Sequence, residues 1–161
     1  MPRDLATPGK NKKVAVCGAY RWPDGPFVYG HGEGHPNTTR FVEMITQIAH
    51  RARRTGRRIV LVLDNGSYHN SRRSRQVLDQ FHVLIRVVWL PTYSSEELND
   101  IEGVWKHLKE DYFSRMLVQD REQFEGAVVA LLDELRPPGG LRRVLRPRTR
   151  KTLRRKIVRV A

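Results

Sequence analysis

Cysteine is almost missing from this chain: Cys17 is the only one. A single thiol excludes an internal disulfide and a cysteine-built zinc site. Long apolar runs are missing as well. Nothing approaches the roughly 18 consecutive apolar residues of a membrane span. The opening Met1-Pro2-Arg3-Asp4 has no apolar signal region. The expectation is a protein with no membrane segment and the cytoplasm as its default compartment. Acid is scarce too, with 17 Asp and Glu against 30 Lys and Arg, a net charge of +13. Ten of those bases and no acid fall within residues 141–161, which leaves +3 for the other 140 residues. The excess is therefore a basic tail on a nearly balanced domain. A concentrated positive field attracts polyanions, and eight of the ten tail bases are arginines, whose planar forks match phosphate. The alternative is a solubilising surface or an acidic-protein partner.

What is present suits one domain of ordinary size, with 39% apolar residues to build its core. Residues 1–13, carrying Pro2, Pro8 and Gly9, read as a lead-in without structure. Val14–Tyr20 reads as a strand and Phe27–Tyr29 as its hairpin partner, joined by the turn chemistry of Trp22-Pro23-Asp24-Gly25-Pro26. Asn37 is a candidate N-cap, Phe41, Ile45, Ile48 and Ala52 recur at helical spacing, and Gly56 ends that helix. Ile59–Leu63 is an unbroken apolar run, the pattern of a parallel strand covered on both faces. A short helix is expected over about 71–81 and a strand over 83–90. Two further helices follow, one striped by Ile101, Val104, Trp105, Leu108 and Tyr112, the next by Phe124, Val128, Leu131 and Leu135. Pro137-Pro138-Gly139-Gly140 breaks the chain before the tail. Trp22, Trp89 and Trp105 are expected in or near the core. The order predicts an α/β fold, a mixed sheet flanked by helices.

Two carboxylates are placed for chemistry. Asp64 directly follows the apolar strand, and ligand sites of open α/β sheets lie beyond the carboxyl ends of strands. Its bland reading is a turn aspartate in Asp64-Asn65-Gly66. Glu102 lies on the helix beside Lys106 and Lys109; its bland reading is an i,i+4 pair with Lys106. His69 is a candidate to orient the Asp64 loop or touch a phosphate. His31 and His35 lie among glycines, which argue against a shared metal.

The run Leu61-Val62-Leu63-Asp64-Asn65-Gly66-Ser67-Tyr68-His69 resembles the second-aspartate motif of DDE transposases, in particular the bacterial insertion-sequence relatives of the mariner group. Leu90-Pro91-Thr92-Tyr93-Ser94, leading into Leu98-Asn99-Asp100-Ile101-Glu102-Gly103-Val104-Trp105, resembles the third-carboxylate motif of the same enzymes. Thirty-seven residues lie between Asp64 and Glu102, a separation of the length that group uses. Ser95 and Glu96 stand where the family commonly has one proline, so the loop is a residue longer.

The resemblance implies an RNase H-like fold over residues 14–136, with 137–161 as the basic tail. It implies DNA cleavage and strand transfer, the chemistry of transposition and recombination, with two Mg²⁺ or Mn²⁺ ions and Asp64 and Glu102 as catalytic metal ligands. Hard cations take oxygen donors, and two of them clamp the attacking and leaving oxygens at phosphorus. Double-stranded DNA, as transposon ends and target, is the implied partner. The DNA contacts expected are Lys106, Lys109, His69 and the tail bases Arg142, Arg143, Arg146, Arg148, Arg150, Lys151, Arg154, Arg155 and Lys156. The family's first aspartate lies on a strand upstream of the Gly18-Ala19 strand. Here Asp4 is the sole acid before Val14, set between Arg3 and Leu5. The expectation is thus an incomplete catalytic domain lacking its first strand: a truncated gene, half of a split reading frame or a start placed too late. Self-association through the exposed strand edge follows from it. The alternatives are a catalytically inactive DNA-binding transposase fragment and an RNase H-type nuclease.

Overall fold

The computed structural model describes residues 13–23, 25–92, 98–116, 118 and 120–144. Strand β1 (Val14–Tyr20) pairs antiparallel with β2 (Phe27–Glu33), in a register that sets Gly18 opposite Tyr29. Helix α1 (Thr38–Thr55) follows. Asn37 caps it by accepting from the Arg40 N–H, and Gly56 closes it with φ of 63°, the left-handed conformation a glycine adopts freely. Strand β3 (Ile59–Leu63), helix α2 (Arg72–Gln80) and strand β4 (Ile85–Trp89) form a right-sized βαβ unit, β3 and β4 being parallel. Helix α3 (Asp100–Asp111), a 3₁₀ turn (Phe113–Arg115), helix α4 (Arg121–Leu135) and the short α5 (Gly140–Val144) complete the order.

Among the described residues the strands make two two-stranded sheets, β1–β2 and β3–β4. One helix ties them together. Phe41, Met44, Ile45 and Ile48 of α1 share a buried cluster with Cys17 of β1 and with Leu61, Leu63 and Ile85 of the parallel pair. The other face of the hairpin packs on the C-terminal helices through Phe27, Tyr29, Val104, Leu108, Leu132 and Leu135. Leu141 and Val144 of α5 belong to that second cluster, and Tyr112 Oη donates to the Val144 carbonyl at 2.8 Å. The four described residues beyond the expected break are therefore held against the helical core by Leu141 and Val144, while Arg142 and Arg143 between them are exposed.

Three expectations need correction. β3 is covered on one face only: Val60 and Val62 are 60% and 48% exposed, and Val88 of β4 lies on the same bare face. Apolarity marked the strand but carried no information on which layers would reach it. Trp22 and Trp89 are not core residues, at 54% and 38% exposed. Strand β4 starts at Ile85 because Val83 stays in the preceding turn.

Trp105 does pack inward, edge-on to Phe27 at 5.7 Å between ring centroids. Gly18 makes this possible, since a Cβ there would lie 2.7 Å from Phe27 Cζ and 2.8 Å from Trp105 Cζ2. That close approach sets where α3, and with it Glu102, lies over β1. Gly18→Ala would ordinarily help a strand slightly. Here it should instead destabilise by about 1–3 kcal/mol through overpacking, read from urea unfolding.

Tyr29 Oη donates to Asp133 Oδ1 at 2.7 Å, as does Arg136 Nε. The Tyr29 hydrogen bond, then Arg136, holds the Asp133 carboxyl below its ordinary value. A depressed aspartate stabilises the fold above its unfolded pKa of about 3.9 and loses that contribution as pH falls through the lowered value. Tyr29→Phe should lower stability at neutral pH and flatten the acid limb of the stability–pH curve below pH about 4.

Candidate active site

Asp64 is the first residue past the carboxyl end of β3, half-buried where the strand gives way to a turn. Its Oδ1 accepts from the Gly66 N–H at 2.9 Å, an Asx turn, and from His69 Nδ1 at 2.7 Å. His69 is itself packed against the rings of Phe41 and Tyr68, at 4.7 and 4.2 Å. The second oxygen, Oδ2, faces Asn99 Nδ2 at 3.4 Å. Asn65 Nδ2 donates to the Leu90 carbonyl at 2.6 Å and ties the same turn to the end of β4. Asp64 therefore caps its own turn, while its second oxygen reaches Asn99, the residue before α3.

Glu102 is exposed in the first turn of α3, and it lines the same cavity as Asp64, Tyr68 and Asn99. Tyr68 reports the two carboxylates together. Burial chiefly, and then the negative charges of Cys17, Asp64 and Glu102, push its hydroxyl pKa up. The expected Glu102–Lys106 pair is not what α3 makes. Lys106 Nζ lies 4.0 Å from Glu110 Oε1, and Lys106 and Lys109 both project into solvent. Among the described residues no group of three His, Cys, Asp or Glu side chains comes together as a metal site. Of the expected DNA contacts, Arg146, Arg148, Arg150, Lys151, Arg154, Arg155 and Lys156 lie outside the described residues.

The cavity has a volume of about 590 Å³. Its walls include five consecutive residues of β1, 16–20, and all five of β3, 59–63. Side chains alternate across a strand, so a space lined by every successive residue lies along the strand's edge, not its face. β1 pairs only with β2 and β3 only with β4 among the described residues. The cavity is therefore bounded by two backbone edges that are unpaired among the described residues, and Asp64 and Glu102 both line it. Motif reading had assigned Asn99 no role, although its place three residues before Glu102 was a usable signal.

A family model for the DDE superfamily endonuclease matches residues 1–125. No curated protein matches the chain significantly. Among solved structures, the fold is similar to the Mos1 transposase catalytic domain, solved with raltegravir and Mg. The TM-score is 0.51 at 12% identity, over 89% of this chain and 82% of that one. A chain of the simian T-cell lymphotropic virus intasome, in complex with PP2A regulatory subunit B56 gamma, aligns at 16% identity. It covers 75% of this chain and 48% of its own length, with a TM-score of 0.44. The likeness to Mos1 is one of fold, and the expected RNase H-like α/β class stands.

Cys17 lies on the cavity wall but is 5% exposed, and burial raises its thiol pKa to about 11. A disulfide reagent at pH 8 should modify it about a hundredfold or more slowly in the native protein than in guanidinium, since only the thiolate reacts. Equal rates would show that the cavity admits solvent down to Cys17.

Proposed function

This chain belongs to the DDE superfamily endonucleases, and from that premise we propose that it carries part of a transposase active site for DNA cleavage and strand transfer. The observation that supports this most is that Asp64 and Glu102, with 37 residues between them in sequence, line one cavity. Both are hard oxygen donors, which fits Mg²⁺ or Mn²⁺. They fit one ion better than two, because two carboxylates leave a second position under-liganded. A divalent ion held by Asp64 and Glu102 would supply Lewis-acid polarisation of a phosphodiester oxygen and an activated water.

The chain's own residues have separate tasks. The Gly66 N–H and His69 fix one oxygen of Asp64, leaving the other to turn from Asn99 toward a ligand. Lys106 and Lys109, one and two turns beyond Glu102 and exposed, meet phosphates of double-stranded DNA. The arginines beyond Val144 add affinity with little sequence preference. A strand laid between β1 and β3 would satisfy both open edges and carry a further carboxylate to Asp64 and Glu102. Without it, those edges favour self-association. A catalytically inactive DNA-binding fragment is the second reading, favoured by the missing three-residue cluster among the described residues.

Two experiments separate the readings. Calorimetric Mn²⁺ titration should show at most one weak ion, lost in Asp64→Ala; equal affinity in both proteins would remove Asp64 from the site. In a plasmid-nicking assay the chain alone should be inactive, and a strand bearing an aspartate, supplied from a close relative, should restore Mg²⁺-dependent nicking. Robust nicking by the chain alone, abolished by Asp64→Ala, would overturn the need for that strand. For the tail, the cut belongs after Val144, since Leu141 and Val144 are core residues. Removing residues 145–161 should lower duplex affinity and flatten the salt dependence, whose slope is about −0.9 per neutralised phosphate.

A further inference from the structure

Away from Asp64 and Glu102, a second charged surface gathers where α1 ends and β3 begins. Arg51, Arg53, Arg54, Arg57 and Arg58 fall within eight residues that hold no acid. All but Arg51 are exposed. Arg21, at the end of β1, joins them in space: burial, then the charges of Arg54 and Arg21, lowers the Arg51 pKa. Among the described residues none of these six guanidiniums makes an ion pair with a carboxylate. Arg58 donates to the His82 carbonyl at 2.8 Å, and Arg53 lies 5.8 Å above the Phe81 ring. Crowded like charges without counterions are costly in the free protein, and a polyanion would relieve that cost.

The chemistry of that polyanion is narrowed by Trp22. It directly follows Arg21, is 54% exposed, and lines the cavity together with Arg21 and Arg51. A bare phosphate or a duplex backbone gives an indole nothing to stack on. An unpaired base does, and base–aromatic stacking beside a basic track is how single strands are held without sequence preference. The cluster also stands apart from the carboxylates. Arg58 precedes β3 and Asp64 follows it, so they are separated by about 20 Å of extended strand.

We propose that this end of the molecule binds single-stranded DNA, with Arg21, Arg51 and Arg54 on the phosphates and Trp22 stacked on a base. The site is independent of the metal-ligand reading of Asp64 and Glu102.

The test uses the full chain and a labelled oligothymidine, followed by anisotropy across a salt series, with a duplex of equal length as control. Trp22→Ala should weaken single-strand binding about tenfold, the worth of one base–aromatic stack. It should leave the salt slope and the duplex affinity unchanged and abolish the quench of intrinsic fluorescence that oligothymidine causes. Trp22→Phe, which keeps a ring, should restore most of the affinity. Arg21→Gln with Arg54→Gln, both at exposed positions, should reduce the single-strand slope by about 0.7 for each lost phosphate contact. The proposal is overturned if Trp22→Ala binds oligothymidine as the wild type does. It is equally overturned if single-strand and duplex binding fall together, or if the arginine pair leaves the slope unmoved.

Discussion

The arrangement depends on one helix face. The hairpin and the parallel pair share no ladder of backbone hydrogen bonds among the described residues, so α1 carries the connection between them. Phe41 and Ile45 are fully buried and Met44 nearly so, in a cluster that includes β1 on one side and β3 and β4 on the other. Burying such side chains is worth about 1.5–3 kcal/mol each, which makes this apolar stripe the main free-energy link between the two halves. The position of Asp64 relative to Glu102 depends on it, because β3 is located by α1 whereas α3 is located by β1 through Trp105 and Gly18.

Much of this was legible locally. Asn37 and Gly56 mark the two ends of α1 by their own chemistry, and Asp120 caps α4 by accepting from the Gln123 N–H at 2.8 Å. Asp64 stands at the end of a strand because a run of five apolar residues stops there. What was not legible is what depends on distant partners. Val60 and Val62 look like Leu61 and Leu63 in sequence, and only the absence of a covering layer among the described residues separates them. Trp22 reads as core by composition but sits on a turn. Leu141 and Val144 are two apolar residues in a basic segment, too few for a pattern, yet both are buried. The bond from Asn99 to Asp64 joins residues 35 apart and has no local signature.

The site and the open edges belong to the same local geometry. A cavity flanked by two strand edges has N–H and C=O groups along both walls that are unpaired among the described residues, and such groups demand partners or water. Two carboxylates line the same cavity: Asp64 is held by its own turn, and Glu102 is exposed in the first turn of α3.

The contact between His69 and Asp64 also fixes the orientation of the imidazole. A carboxylate oxygen 2.7 Å away accepts, so the proton between them belongs to Nδ1. The packing of Phe41 and Tyr68 against the ring resists a flip that would exchange the two nitrogens. A ring held on both faces and pinned at one nitrogen acts as a strut, and it sets the direction in which the Asp64 carboxylate leaves its turn.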